Sequence, residues 1–218
     1  DRLKEGGEIQ VDEVVAVTMG PGSAQRALQK AVALGADRSV HLTDDALVGS
    51  DVCATGVALA KVLESENPDI VLLGQQSDDG ECYTMGAVLA DHLKMPSLTQ
   101  VVKMDVEDGK LRCERQAEYG YDTVALSLPA VISVGDAINE PRYPSLKAIM
   151  GAKKKPLDSK SAADLGLSPD EVGEAGSKTT VIALNPPPQK EAGEVIEDED
   201  TAETVEKIVA WLDERKLI

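Results

Sequence analysis

Phenylalanine is missing from this 218-residue chain, and one Trp and four Tyr bring the aromatic fraction to only 2%. A core without aromatic rings has to be assembled from Val, Leu, Ile and Ala. A platform that stacks unpaired bases needs aromatic faces, so single-stranded nucleic acid is a poor partner on this count. Cationic side chains are scarce too: 22 Lys and Arg stand against 39 Asp and Glu, a formal net charge of −17. Such a surface repels phosphate backbones and anionic bilayers alike, so no nucleic acid is expected as a partner. No apolar run nears the roughly 18 residues of a membrane span, so no membrane insertion is expected. No basic-then-apolar leader opens the chain. The three cysteines, Cys53, Cys82 and Cys113, are scattered and form no CxxC pair. They read as free thiols in a reducing compartment, not as a disulfide frame. His41 and His92 are isolated, and no Ser–His–Asp or Cys–His arrangement can be assembled around them. The lack of a nucleophile and base favours a binder or carrier over a hydrolase.

What remains is a globular composition, 42% hydrophobic and 28% charged, in a chain long enough to bury about 70–75% of its unfolded surface. The opening Asp1-Arg2-Leu3-Lys4-Glu5-Gly6-Gly7 reads as the last turn of a helix and its glycine stop, so a preceding segment is expected to be missing. Strands and helices then alternate. Residues 13–18 form a β-branched run ended by Gly20-Pro21-Gly22, and Ala24, Ala27, Leu28, Ala31 and Val32 recur at helical spacing, with Ser23 as cap and Gly35 as stop. Ser39-Val40-His41-Leu42 is a second strand. Ser50 or Asp51 caps a helix with an apolar stripe of Val52, Leu59 and Leu63, ended by Asn67-Pro68. Asp69-Ile70-Val71-Leu72-Leu73-Gly74 is a continuous apolar run, the pattern of a strand buried on both faces of a parallel sheet. A helix over 84–93 follows. This order predicts an α/β fold with a doubly wound, mostly parallel, three-layer arrangement, the sheet lying between two helical layers in a Rossmann-like way.

The middle of the chain adds an antiparallel hairpin insertion. Residues 101–106 and 111–117 flank Glu107-Asp108-Gly109-Lys110, and 122–127 reads as a third antiparallel strand. Pro129-Ala130-Val131-Ile132-Ser133-Val134-Gly135 is apolar again and is expected to return to the central sheet. Residues 1–156 thus read as one α/β domain, and 157–218 as a C-terminal extension. Within the extension, 162–172 reads as a short helix or turn, 179–184 as a strand ended by Asn185-Pro186-Pro187-Pro188, and 190–206 as a mostly solvated acidic arm. A closing helix carries Val205, Ile208, Val209 and Leu212 on one face. Such an arm either wraps a partner or docks on its own domain.

The candidate binding site is the loop Gly74-Gln75-Gln76-Ser77-Asp78-Asp79-Gly80-Glu81-Cys82-Tyr83-Thr84-Met85. It leaves the C-terminal end of a parallel strand and opens a helix, where open α/β sheets bind ligands and free amides suit a phosphate. Gly20-Pro21-Gly22 would form the opposite wall. The pattern is neither GxGxxG nor GxxxxGK[ST], and glycines and Asp also serve ordinary strand–helix turns. Asp78, Asp79 and Glu81 lie close together with no His nearby, which fits turn and cap roles better than a metal site. A second candidate surface follows: Pro141 and Pro144 fix a loop containing Arg142 and Tyr143, and Leu146, Ile149 and Met150 are apolar beside Lys153, Lys154 and Lys155. A rigid loop that presents apolar and cationic groups together is a docking element.

The run Asn139-Glu140-Pro141-Arg142-Tyr143-Pro144-Ser145-Leu146 with Ile149-Met150 and Ala152-Lys153-Lys154-Lys155 resembles the beta subunits of electron transfer flavoproteins. Leu128-Pro129-Ala130-Val131-Ile132-Ser133, Ala33-Leu34-Gly35-Ala36-Asp37-Arg38 and Leu73-Gly74-Gln75-Gln76 extend the resemblance over essentially the whole chain. The resemblance implies a non-catalytic electron carrier subunit in a heterodimer with an alpha subunit that holds most of the FAD site. It implies that residues 1–156 are an adenine-nucleotide-binding α/β domain with its first strand missing, and that AMP lies in the loop from Gly74 to Met85 and beside Met19. It also implies docking of flavin dehydrogenases, such as acyl-CoA dehydrogenases, through Leu146 and its neighbours, and a compartment that is cytoplasmic in a bacterium or archaeon and the mitochondrial matrix in a eukaryote. The sequence departs from the family pattern at Gln116 after Arg115, at Glu118-Tyr119-Gly120-Tyr121, and at Glu81-Cys82-Tyr83-Thr84-Met85. The last departure, with Met85 in place of a Thr, also matches a bifurcating class in which a second FAD replaces AMP. A universal-stress-type nucleotide-binding module shares the sheet, but its late Gly-rich phosphate loop is not found.

Overall fold

The computed structural model of the chain describes residues 10–78, 80–107, 109–189, 193, 195 and 200–218. The helix-end reading of residues 1–7 and residues 190–192, 194 and 196–199 of the acidic arm lie outside these residues. The chain forms two compact units, Asp1–Thr180 and Val181–Ile218.

The first unit alternates β and α as its apolar periods require. Strand β1 (Val15–Met19) pairs in parallel with β2 (Arg38–Leu42), and helix α1 (Gln25–Leu34) connects them. A 3-10 turn at Gly22–Ala24 precedes α1, so Ser23 lies inside that turn and does not cap the helix. Gly35 ends α1 at φ 137°, a backbone angle that favours glycine. Helix α2 (Val52–Glu66) is capped by Asp51, whose carboxylate accepts from the amides of Cys53 and Ala54 at 2.9 Å. Strand β3 (Ile70–Gly74), helix α3 (Met85–Leu93), strands β4 (Ser97–Glu107), β5 (Lys110–Ala117), β6 (Gly120–Leu126) and β7 (Ala130–Val134), and helix α4 (Leu146–Ala152) follow. Strands β4, β5 and β6 form the expected antiparallel insertion, and β7 returns between β3 and β4, parallel to both.

The parallel strands are divided between two sheets, one ordered β1-β2-β8 and one ordered β3-β7-β4-β5-β6. Among the described residues no strand pairs with the outer edge of β1 or of β3. Strand β8 (Leu157–Lys160) lies in the segment expected as an extension and pairs with β2. The run expected to be buried on both faces therefore occupies a sheet edge as β3, and Leu72 is 53% exposed. Helices cover both faces of the first sheet. Val32, Ala36 and Ala152 pack with Val14 and Ala16 on one side, and Ala58 and Val62 of α2 pack with Val40, Leu42, Val15 and Val17 on the other.

Helix α2 also reaches the second sheet, where Ala60, Leu59 and Leu63 pack with Val71, Leu89, Ala90 and Val131. The buried face of α2 is thus its small residues, Ala54, Ala58 and Val62, while Val52, Leu59 and Leu63 remain half-buried. Gly56 permits close approach to α3, since a Cβ there would stand 2.3 Å from Val88 Cγ1. The core is aliphatic as the composition requires: the buried apolar residues are Val, Leu, Ile and Ala with the single Cys113, and all four Tyr are exposed. The cysteines are free, Cys53 and Cys82 exposed and Cys113 buried; burial pushes the Cys113 thiol pKa up.

Asp51 also accepts from the amides of Lys178 and Thr179 and from the Thr179 hydroxyl, at 2.7–3.0 Å, tying residues 178–179 to the start of α2. Burial alone would raise its pKa. The hydrogen bonds from Ala54, Lys178 and Thr179 outweigh burial and hold it at about 2.

The second unit contains helix α6 (Thr201–Glu214), capped by the Asp200 carboxylate, which accepts from the Ala202 amide. None of its residues is buried, and Arg215 lies 4.1 Å over the Trp211 ring. A short helix α5 (Gly173–Gly176) precedes the unit boundary. No strand forms at 179–184, and Val181, Ile182 and Leu184 are exposed. Propensity alone does not make a strand without a partner ladder.

Candidate functional site

Two exposed connections carry the residues singled out from the sequence. The first leaves β3 at Gly74 and enters α3 at Met85. A turn closes on itself where the Glu81 amide donates to Ser77 O at 3.0 Å. The Cys82 thiol donates to Gly80 O at 3.0 Å. Glu81 and Tyr83 sit at φ 46° and 56°, the left-handed region in which side chains other than Gly are strained. Residues Gln76, Ser77, Asp78, Gly80, Glu81, Cys82, Tyr83 and Thr84 are exposed, and Gln75 is half-buried; Asp79 lies outside the described residues. Thr84 precedes the first turn of α3 and its hydroxyl makes no capping bond. Met85 is half-buried and packs against the Leu89 and Val131 cluster.

The donor chemistry fits a phosphate. The first amides of α3 have no intrahelical acceptor, and the hydroxyls of Ser77 and Thr84 and the carboxamides of Gln75 and Gln76 lie on the same connection. Left-handed residues beside right-handed ones turn successive N–H groups toward one concavity, the arrangement that holds anions in backbone nests. Among the described residues no group of three or more His, Cys, Asp or Glu is gathered for a metal ion.

Met19 sits at the end of β1, in the other sheet. Its half-buried side chain packs on the Val40 and Leu42 cluster, and the Gly20-Pro21-Gly22 turn follows it. The Gly20 amide donates to Leu42 O at 3.0 Å, and the buried His41 ring reaches Gly20 O at 3.0 Å through Nε2. The first strand's turn is thus braced by β2. The loop after β3 and the turn after Met19 lie at the C-terminal ends of strands in two different sheets.

The second connection runs from β7 to α4. Pro141, Arg142 and Tyr143 are exposed, Tyr143 almost fully at 95%. Ser145 caps α4, its hydroxyl accepting from the Ala148 amide at 3.2 Å, a Ser-before-apolar-run signal legible in the sequence but not read from it above. Ala152 is buried against Val32 and Ala36 and anchors the short helix. Leu146 (79% exposed), Ile149 and Met150 then share the outward side at i, i+3 and i+4, with Lys153 one turn on. Lys153 and Lys154 are exposed at the helix end, where cations suit the dipole. Lys155 is different: its ammonium donates to Ala36 O at 2.7 Å and braces α4 against the end of α1.

Sequence reading missed one further element. Helix α1 lies beside α4, and Gln29, Lys30 and Ala33 line a shallow apolar groove with Pro144, Ile149 and Lys153. The signal was the stripe 29, 30 and 33, which flanks the buried Leu28 and Val32.

Comparison with known proteins shows the family of the chain. Residues 2–165 match the family model described as the electron transfer flavoprotein domain. The electron transfer flavoprotein subunit beta of Mycobacterium tuberculosis (strain H37Rv) is 43% identical over 218 residues, all of this chain and 81% of that protein. The bovine subunit of the same name is 38% identical over 215 residues, 98% of this chain and 79% of its own length. The caffeyl-CoA reductase-Etf complex subunit CarD of Acetobacterium woodii is 36% identical over 207 residues, 94% and 79% respectively.

Proposed function

This chain belongs to the electron transfer flavoprotein family as a beta subunit, an electron carrier subunit and not an enzyme, and on that premise we propose that it scaffolds the FAD of an alpha subunit and docks flavin dehydrogenases. The observation that carries the docking part is the outward set Leu146, Ile149 and Met150, held by a proline-fixed, Ser-capped turn and flanked by Lys153 and Lys154. FAD supplies the redox chemistry when bound by the alpha subunit. This chain binds and orients: its α4 face grips the electron donor. Acyl-CoA dehydrogenases are the proposed donors, and the respiratory chain the proposed destination of the electrons.

The loop from Gly74 to Met85 is the proposed AMP site, in which the first amides of α3, Ser77 and Thr84 would hold the phosphate. A second reading has a second FAD in place of AMP. The absent hydroxyl at Met85 and the likeness to a subunit of a caffeyl-CoA reductase-Etf complex support it. Denaturing the full-length heterodimer and identifying the released nucleotides separates the two: AMP with one FAD, or two FAD. The proposed extension, 157–218, includes the exposed apolar side of α6, which suits wrapping the alpha subunit. The proposed compartment is the bacterial or archaeal cytoplasm, or the mitochondrial matrix in a eukaryote.

The docking reading is tested with Leu146→Ala in the heterodimer. Assembly and flavin content stay unchanged, and reduction at sub-saturating dehydrogenase slows about 10-fold, as for loss of an interface anchor. Unchanged reduction kinetics would overturn it.

A further inference from the structure

We infer that the groove between α1 and α4 is a second half of the docking surface, which receives an apolar side chain of the dehydrogenase flanked by carboxylates. The inference rests on the docking reading of Leu146 and extends it from a knob to a knob beside a socket. The groove has a volume of about 260 Å³ and is walled by Ala33, Pro144 and Ile149, with Gln29, Lys30 and Lys153 around it. Ile149 belongs both to this wall and to the outward side of α4, so socket and knob form one continuous surface.

Shape and charge select the occupant. The groove is open and shallow, and its wall offers carbon rather than the converging polar groups of a small-molecule site. It therefore suits one protruding side chain of a protein. At its rim stand Lys30 and Lys153, both exposed. Neither makes an ion pair among the described residues, although carboxylates pair with Arg38, Lys61, Lys94, Lys103, Arg112, Arg115 and Lys160 elsewhere. In a chain of net charge −17, two unpaired ammonium groups at the rim of an apolar depression are complementary to an acidic segment. Lysine stems add to the apolar wall while the ammonium groups stay in water.

The experiment uses the full heterodimer and a purified acyl-CoA dehydrogenase that reduces the wild-type flavin. Ala33→Phe fills the socket, Lys30→Glu reverses one rim charge, and Leu146→Ala removes the knob. The expected result is a rise in the half-saturating dehydrogenase concentration of about 10-fold for Ala33→Phe and about 5-fold for Lys30→Glu, with the rate at saturation unchanged. The Lys30→Glu effect shrinks at high salt. If Leu146→Ala weakens docking while Ala33→Phe and Lys30→Glu behave as wild type, the socket is overturned and the docking reading stands. If all three behave as wild type, or no acyl-CoA dehydrogenase reduces the wild-type complex, both fall. Loss of the alpha subunit or a change of oligomeric state in Ala33→Phe would place the groove in another interface and also overturn the inference. Lys30 is exposed on the helix surface, so its variant decides the matter should Ala33→Phe fail to fold.

Discussion

The loop that leaves β3 and the loop that enters α4 are both exposed connections at a helix start, yet they are built by opposite means. The first is a backbone device: left-handed Glu81 and Tyr83, a Ser77–Glu81 turn and the free amides of α3. The second is a side-chain device, in which prolines and the Ser145 cap hold the chain still while Leu146, Ile149, Met150 and the lysines project. Backbone amides suit a small anion. Projecting apolar and cationic groups suit a macromolecule, where a few anchors carry most of the binding energy. The difference predicts that the two regions respond to different kinds of substitution.

The largest effect should come from the side-chain region. Leu146→Asp is expected to slow reduction by a dehydrogenase about 100-fold at sub-saturating concentration, with nucleotide content untouched; loss of nucleotide in this variant would show that the regions are not separable. Next is the frame they share. Asp51→Ala is expected to cost about 2 kcal/mol, from a lost cap and the bonds to Lys178 and Thr179, measured by urea unfolding. Because the Asp51 pKa is lowered from 3.8 to about 2, its contribution is present above about pH 4 and is lost as pH falls toward 2. The wild type should therefore lose stability over that window more steeply than the variant. In the backbone region Tyr83→Gly is expected to stabilise by about 1 kcal/mol through relief of a left-handed residue and to retain nucleotide, whereas Tyr83→Val destabilises by a similar amount. Nucleotide loss in Tyr83→Gly would show that the side chain, not the backbone, holds the ligand. The smallest effect is ionic: raising salt from 50 to 200 mM should weaken dehydrogenase docking about 3-fold and leave nucleotide retention unchanged.

Local signals were legible and non-local ones were not. The hairpin pairing of Glu107 with Lys110, the Gly35 stop and the cap at Asp51, one of the two positions the pattern offered, all depend on residues within a few positions. Leu72 could not be placed from its own run, because exposure depends on which strand lies beside β3. Strand β8 has no periodic signal in Leu157-Asp158-Ser159-Lys160 and forms because β2 offers a parallel edge. Residues 179–184 carry the opposite mismatch, strand-like composition with no ladder. At the candidate site, the apolar and cationic content of α4 could be read directly. The inward turn of Met19 and the groove beside α1 could not, since both arise from packing between distant segments.

The divided sheet has a consequence for local opening. Strands β2 and β7 are hydrogen-bonded on both sides, whereas β1 and β3 each turn one row of amides to no partner strand among the described residues. Amides of β2 and β7 should therefore be among the slowest strand amides to exchange with deuterium. Helix α2 packs on both sheets, with Ala58 and Val62 toward the first and Ala60 toward the second. Its amides should therefore report, by their protection, how firmly the two halves are held together.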